Sequence, residues 1–226
     1  MTLCRNQADR ERAMAGNVAD RQAAGRVEEP LQQRPTSPAD HIADPGPLGL
    51  AGFAMTTFVL SCFNAGFFGS KSPLEAVVLP LALFYGGLAQ LLAGMWEFRK
   101  ANTFGAVAFT SYGAFWLSFA AYVKFVAPGL GAGAGSATGL YLLGWTIFTG
   151  YMTVASLGVS RAVAAVFVAL FLTFLLLTVG AFLGSAGISV IGGYLGLVTA
   201  VLAWYASFAG VINATWKRTV LPVGVR

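Results

Sequence analysis

Six long apolar runs in succession leave this chain few ways to fold. They cover roughly residues 48–68, 74–96, 103–125, 138–158, 160–183 and 188–214. A hydrocarbon core ~30 Å thick is crossed by about 20 helical residues at 1.5 Å each, and every run is long enough. Charged residues make up only 10% of the chain, against the roughly 25% usual in soluble domains. The expected fold is therefore an all-α membrane protein, a six-transmembrane-helix bundle. The connectors are short, which places successive helices as antiparallel neighbours.

The first run begins abruptly. In Asp44-Pro45-Gly46-Pro47-Leu48-Gly49-Leu50 two prolines end whatever precedes them, because proline fixes φ and lacks an N–H. Pro47 can open a helix, where its missing donor costs nothing. Residues 1–43 hold Arg, Asp, Glu, Gln, Ala and Pro but no apolar face to bury, and read as a disordered tail. No apolar segment of signal-peptide type precedes the first span. The boundaries are thus 1–43 for a cytoplasmic tail and 44–226 for the membrane domain.

Charge sets the expected orientation. Residues 1–46 carry six Arg against seven Asp and Glu, and the remainder eight Lys and Arg against two Glu. With six spans, twelve of the Lys and Arg fall on the side that holds both termini. Only Lys71 and Lys124 fall on the other. The positive-inside rule then predicts that both termini are cytoplasmic. The basic excess belongs to membrane topology, and no nucleic-acid partner is expected.

No Asp, Glu, Lys, Arg or His lies deep within any run, since Glu75, Glu97 and Lys124 fall near predicted ends. A proton relay through the bilayer usually keeps such groups despite their cost, and none is legible here. The zinc-protease, nucleophile-elbow and phosphate-loop patterns are absent as well. Cys4, Cys62 and His41 have no metal-ligand spacing. The reading is of a non-enzyme with no cofactor and no metal. Neutral hydrogen-bonding groups do recur in helical register. Phe53, Thr57, Ser61 and Asn64 share one face, as do Gln90, Gly94 and Glu97, then Ala108, Tyr112, Trp116 and Phe119, then Trp145, Thr149, Thr153 and Ser156. Such stripes can line a pathway for a solute that sheds water, or can bond helices to one another. Glu97 can equally pair with Arg99 or Lys100. Gly86, Gly87, Gly94, Gly192, Gly193 and Gly196 would let backbones approach closely.

Three blocks carry a resemblance to a known family. The first is the Pro-x-Pro-Leu-Gly-Leu-x-Gly-Phe-x-x-Thr-Thr stretch ending at Thr56 and Thr57, with Leu60-Ser61 and Asn64-Ala65-Gly66 behind it. The second runs from Phe84-Tyr85-Gly86-Gly87 through Gln90 to Trp96-Glu97. The third holds Asn102-Thr103-Phe104-Gly105, Ser111-Tyr112-Gly113 and Phe115-Trp116-Leu117. In order and spacing these resemble the acetate uptake transporter (succinate–acetate permease) family, from about Asp44 to Pro222. One position departs. The family usually opens Asn-Pro-Ala-Pro, and Asp44 adds a charge at the membrane edge.

The resemblance implies a homo-hexamer in the plasma (inner) membrane, each protomer with its own pore. It implies permeation of acetate, and of succinate or other short carboxylates, as a passive channel or a proton-linked permease. Some relatives are tied to ammonium export, so a channel for ammonia or a urea-like neutral solute is the alternative. A membrane scaffold is a third reading, against which the coherent polar faces argue. The family narrows its pore with a Phe, a Tyr and a Leu, which correspond here to Phe53, Tyr112 and, by counting from Arg161, Leu170. Measured from the helix starts they lie ~8, ~13 and ~15 Å deep, so they can meet at one level. Thr56, Thr57, Asn64, Gln90, Glu97, Ser111 and Trp116 are the expected polar lining.

Overall fold

The computed structural model describes residues 42–68 and 76–224. Residues 1–41 of the expected tail, and Lys71 and Glu75, lie outside them. Six long helices account for most of the described chain. These are α1 Gly46–Asn64, α2 Val78–Arg99, α3 Thr103–Ala121, α4 Ala134–Ser156, α5 Arg161–Leu183 and α6 Ala186–Trp216. Five of these spans are long and apolar enough to cross a membrane; α4, 23 residues long, is the less apolar one. Its Gly, Thr, Tyr and Trp residues lower its hydropathy without adding a charge.

Local chemistry sets the ends. Pro47 occupies the first turn of α1, where a donor would be unpaired anyway. Asn102, Ser160 and Ser185 cap α3, α5 and α6 by accepting from Gly105 N, Val163 N and Ile188 N, each satisfying an orphan donor of a first turn. Gly184 closes α5 in the left-handed region, at φ 60°, where glycine alone is unstrained.

Two stretches are wound more widely than the sequence predicts. Leu81–Ala89 in the middle of α2 forms a π-helix, entered from Pro80. Tyr122–Val126 prolongs α3 in the same way. Pro80 has no N–H for the helical ladder. Wide winding leaves carbonyls free for other donors: Leu81 O accepts from the Thr56 hydroxyl of α1 at 3.4 Å.

The helices stand in a ring, each against the next, with α6 returning to α1. Hydroxyls stitch the seams. Thr146 meets Thr178 at 2.9 Å between α4 and α5, and Thr173 meets Thr199 at 3.2 Å between α5 and α6. Ser207 of α6 donates to Pro47 O of α1 at 2.7 Å. Bonds of this kind average about 0.6 kcal/mol in a bilayer. Glycine makes the contacts close. A Cβ on Gly193 would strike backbone atoms of Asn64 and Ala65, and one on Gly94 would strike Thr110. The α3–α4 seam differs, since large rings fill it. Tyr122 stacks on Tyr141 at 5.5 Å, and Phe115 meets Trp145 at 5.1 Å.

Side chains are distributed inside out. Ala54, Ala82, Ala106, Ala203, Thr56, Thr149 and Thr199 are fully buried, whereas Phe84, Phe125, Leu140, Ile147 and Val154 are mostly exposed. Such an exterior fits hydrocarbon, where packing of small residues replaces the hydrophobic effect between helices.

Candidate functional site

Two cavities enter the bundle from opposite ends. One, of about 230 Å³, opens where α1 and α5 begin and α6 ends, and is called here the terminal-end cavity. Its walls include Asp44, Leu50, Glu97, Asn102, Phe167, Asn213 and Val223. The loop-end cavity, of about 300 Å³, lies toward the other ends of the helices, among Thr57, Asn64, Trp116, Thr138, Thr173 and Ser189. Among the described residues no charged side chain lines it.

Between them lies a void of about 20 Å³ bordered by Leu50, Phe53, Gln90, Tyr112, Phe167 and Leu170. Leu50 and Phe167 also border the terminal-end cavity, and Phe53 and Leu170 also border the loop-end cavity. The small void is therefore a neck between the two. Its volume suits about one water molecule. Anything larger needs the bordering side chains to give way.

The ring is held from behind. Phe53, Tyr112 and Leu170 are 4%, 2% and 3% exposed. The Phe53 and Tyr112 rings lie 5.8 Å apart, and Tyr112 also packs on Phe148 at 5.3 Å and Phe167 at 6.0 Å. The Tyr112 hydroxyl shares a 2.9 Å hydrogen bond with Thr149 Oγ1 of α4. Its oxygen is thus committed to the bundle, whereas its ring serves the neck. Phe167 is one of several lining residues missed in the sequence, with Leu50, Phe109 and Val166. It falls one turn before Leu170 and two before Phe174, on the same face of α5.

The expected polar residues separate into distinct groups. Gln90 borders the neck, and Thr57, Asn64 and Trp116 border the loop-end cavity. Gln90 Oε1, Thr57 Oγ1 and Trp116 Nε1 are buried without a hydrogen-bond partner. An orphaned buried polar atom costs about 1–3 kcal/mol, and three of the four such atoms among the described residues, Thr110 Oγ1 being the other, belong to residues that border these cavities. Thr56 is fully buried but borders none of these cavities. It donates to Gly52 O at 2.9 Å and to Leu81 O, joining α1 to the π-wound turn of α2. Ser111 is half-buried and borders none of them either. The α4 stripe resolves as interhelical bonding. Thr149 meets Tyr112, and Thr153 donates to Phe167 O at 3.1 Å.

Glu97 is 2% exposed and lines the terminal-end cavity. Its Oε2 accepts from Asn102 Nδ2 at 2.9 Å, while Asn102 Oδ1 caps α3 by accepting from Gly105 N at 3.1 Å. Asn102 is thus its hydrogen-bond partner, in place of the Arg99 or Lys100 pairing read from the sequence. Asp44 borders the same cavity, its Oδ1 accepting from Gly46 N at 3.1 Å.

A ring of six helices with large apolar side chains outward and cavities entering from both ends defines a multi-pass, all-α membrane protein. The chain belongs to the GPR1/FUN34/yaaH family, whose model matches residues 28–224. It is 41% identical over 184 residues to the succinate-acetate/proton symporter SatP of Escherichia coli K12, covering 81% of this chain and 96% of that one. It is 43% identical over 204 residues to acetate permease A of Emericella nidulans, covering 82% of this chain and 67% of the permease. Ammonia transport outward protein 2 of Saccharomyces cerevisiae is 45% identical over 185 residues, or 77% of this chain. The match spans 64% of that yeast relative's length. Among solved structures, the bacterial acetate channel SatP superposes with a TM-score of 0.74 at 39% identity, covering 81% of this chain and 99% of that one.

Proposed function

We propose that this protein passes acetate and related short carboxylates, succinate among them, across the plasma membrane. The passage runs through the terminal-end cavity, the neck and the loop-end cavity. The observation that carries this reading is the neck itself. Phe53, Tyr112 and Leu170, drawn from three helices, close a void the size of one water, and a narrow apolar site resists a hydrated ion. A carboxylate entering it sheds water and needs replacement donors. Thr57 Oγ1 and Trp116 Nε1, both buried donors without a partner, supply them without fixed charge, and Gln90, whose unpartnered Oε1 only accepts, can offer its amide N–H. Asn64 guards the approach, and Glu97 and Asp44 face the other end. Thr56 and Ser111 act behind the wall.

Both termini are cytoplasmic in this reading, residues 1–43 form a tail, and the working unit is a homo-hexamer with one pore per protomer. Transport by diffusion and transport linked to a proton both fit a passage with no Asp, Glu, His, Lys or Arg among the residues at its neck. A second reading, export of ammonia or passage of another small neutral solute, is favoured by the lining of the loop-end cavity, uncharged among the described residues, and by what the yeast relative is named for.

Uptake of labelled acetate into vesicles carrying the purified protein tests this, with succinate, urea and ammonium as competitors. Saturable acetate entry reduced by succinate is the expected result. Ammonium or urea flux without acetate flux would establish the second reading instead.

A further inference from the structure

Beyond α6 the chain does not simply leave the bundle. Lys217 turns it back with φ 51°, and Asn213 then grips the returning segment with both ends of its amide. Asn213 Oδ1 accepts from Val220 N at 2.7 Å and Leu221 N at 3.0 Å, and Nδ2 donates to Leu221 O at 2.8 Å. Further on, the Tyr205 hydroxyl donates to Pro222 O at 2.7 Å. The segment ends across the start of α5, where Arg161 N donates to Gly224 O at 3.0 Å and Ala162 N to Val223 O at 3.1 Å. Residues 220–224 thus form a strap from α6 to α5.

The strap borders the passage. Val223 lies in the wall of the terminal-end cavity beside Asn213, Ser160 and Asp44. Its attachments are of a kind that can be released. The donors of Arg161 and Ala162 belong to the first turn of α5 and have no partner inside that helix, so water can take over for the strap's carbonyls. Asn213 and Tyr205 lie at the end of the bundle, where water can likewise replace a lost partner. Pro222 restricts the strap's backbone, which lowers the entropy lost when it closes.

We propose that the strap is the gate of the terminal-end cavity and that Asn213 is the residue positioning it. The cargo it admits is that of the proposed function, on which the gating role rests; the strap's movement itself does not depend on which solute passes.

The test uses the full chain with Cys4→Ser and Cys62→Ala, reconstituted in nanodiscs open on both faces. A reporter thiol is placed at Val163→Cys, which borders the terminal-end cavity, or at Ala181→Cys, which borders the loop-end cavity. A charged thiol reagent reads access to each. Loss of the Asn213 bonds should shift a closed strap toward open by about fivefold or more. Asn213→Ala should therefore raise the labelling rate of the Val163→Cys thiol by about that factor and leave the Ala181→Cys thiol unchanged. Asn213→Asp keeps the acceptor for both amides and should retain most of the protection. Tyr205→Phe, which removes one bond only, provides a milder variant should Asn213→Ala fail to fold, with a smaller rise in the same direction. Equal rates at Val163→Cys in the parent and in every folded variant overturn the gate. So does a rise of the same size at both thiols, which marks general loosening. Acetate uptake in parallel vesicles keeps the two ideas apart: absent uptake with strap-dependent labelling removes the acetate reading and leaves the gate.

Discussion

At the residue scale Tyr112 does two things at once. Its ring narrows the neck against Phe53, and its hydroxyl ties α3 to Thr149 of α4, across a seam where aromatic rings pack and Tyr122 and Tyr141 each also bond through their hydroxyls. Tyr112→Phe should keep the width of the neck. It should lower stability by about 1 kcal/mol, the usual net worth of such a bond, and be read as a small fall in the thermal midpoint. The hydroxyl is occupied, so acetate flux should change less than it does in variants of the ring. Phe53→Ala and Leu170→Ala remove the constriction itself and should raise lactate uptake relative to acetate. Unchanged ratios in both, with normal folding, would take these residues out of the path. Gln90→Leu tests whether the amide N–H of this side chain replaces hydration lost by the cargo. A buried amide oxygen without a partner is a poor packing device, so the substitution should stabilise the fold slightly and cut acetate flux several-fold. Normal flux would make Gln90 a bystander.

At the element scale the six helices were legible because apolar length is a strong signal. Each predicted run overlaps the helix found, although α1 begins at Gly46, before its apolar stretch, and α4 begins at Ala134, four residues before its run. The winding of α2 was not legible. Nothing in Leu81–Ala89 distinguishes a π-helix from an α-helix by hydropathy, and Pro80 signals only a missing donor. The strap was missed for a related reason. Residues 220–224 are short and have no periodicity, and their hydrogen bonds come from Asn213, Tyr205 and α5. Among the site residues, Phe53, Tyr112 and Gln90 sit in distinctive blocks, whereas Leu170 and Phe167 lie in a featureless apolar run. Thr56 and Thr57 show the limit of motif reading. They are adjacent in one block, yet helical geometry turns one toward α2 and the other toward the cavity. The glycines divide in the same way. Gly193 lies against the backbone of α1, but a Cβ on Gly144 would meet nothing within 4 Å. Gly193→Ala should thus force α1 and α6 apart at a cost on the order of 1–3 kcal/mol. Gly144→Ala should be neutral or raise stability by up to about 1 kcal/mol. Thermal unfolding in one detergent checks both, and an equal response would undo the close-packing account of the α1–α6 seam.

At the scale of the whole molecule the two ends of the bundle differ in charge and in what closes them. Among the described residues the terminal end carries Arg99, Lys100, Arg161, Lys217 and Arg218, and the loop end carries Lys124. Cations flanking spans are retained on the cytoplasmic side, so the terminal-end cavity should open to the cytoplasm. The same cavity holds Asp44 and Glu97 and is bounded by the strap, whereas the described lining of the loop-end cavity carries no charge. An anion arriving from outside would then meet neutral donors before the neck and carboxylates after it. The orientation therefore decides which chemistry the cargo encounters first. A fluorescent reporter that matures only in the cytoplasm, fused after Arg226, should light up in cells. A fusion after Arg226 to an enzyme active only outside the cytoplasm should stay silent at equal expression. The opposite pair of results would reverse the whole assignment, placing the strap and both acids at the outer mouth and the neutral cavity inside. It would also show that the bias of five cations to one among the described residues does not set the topology of this chain.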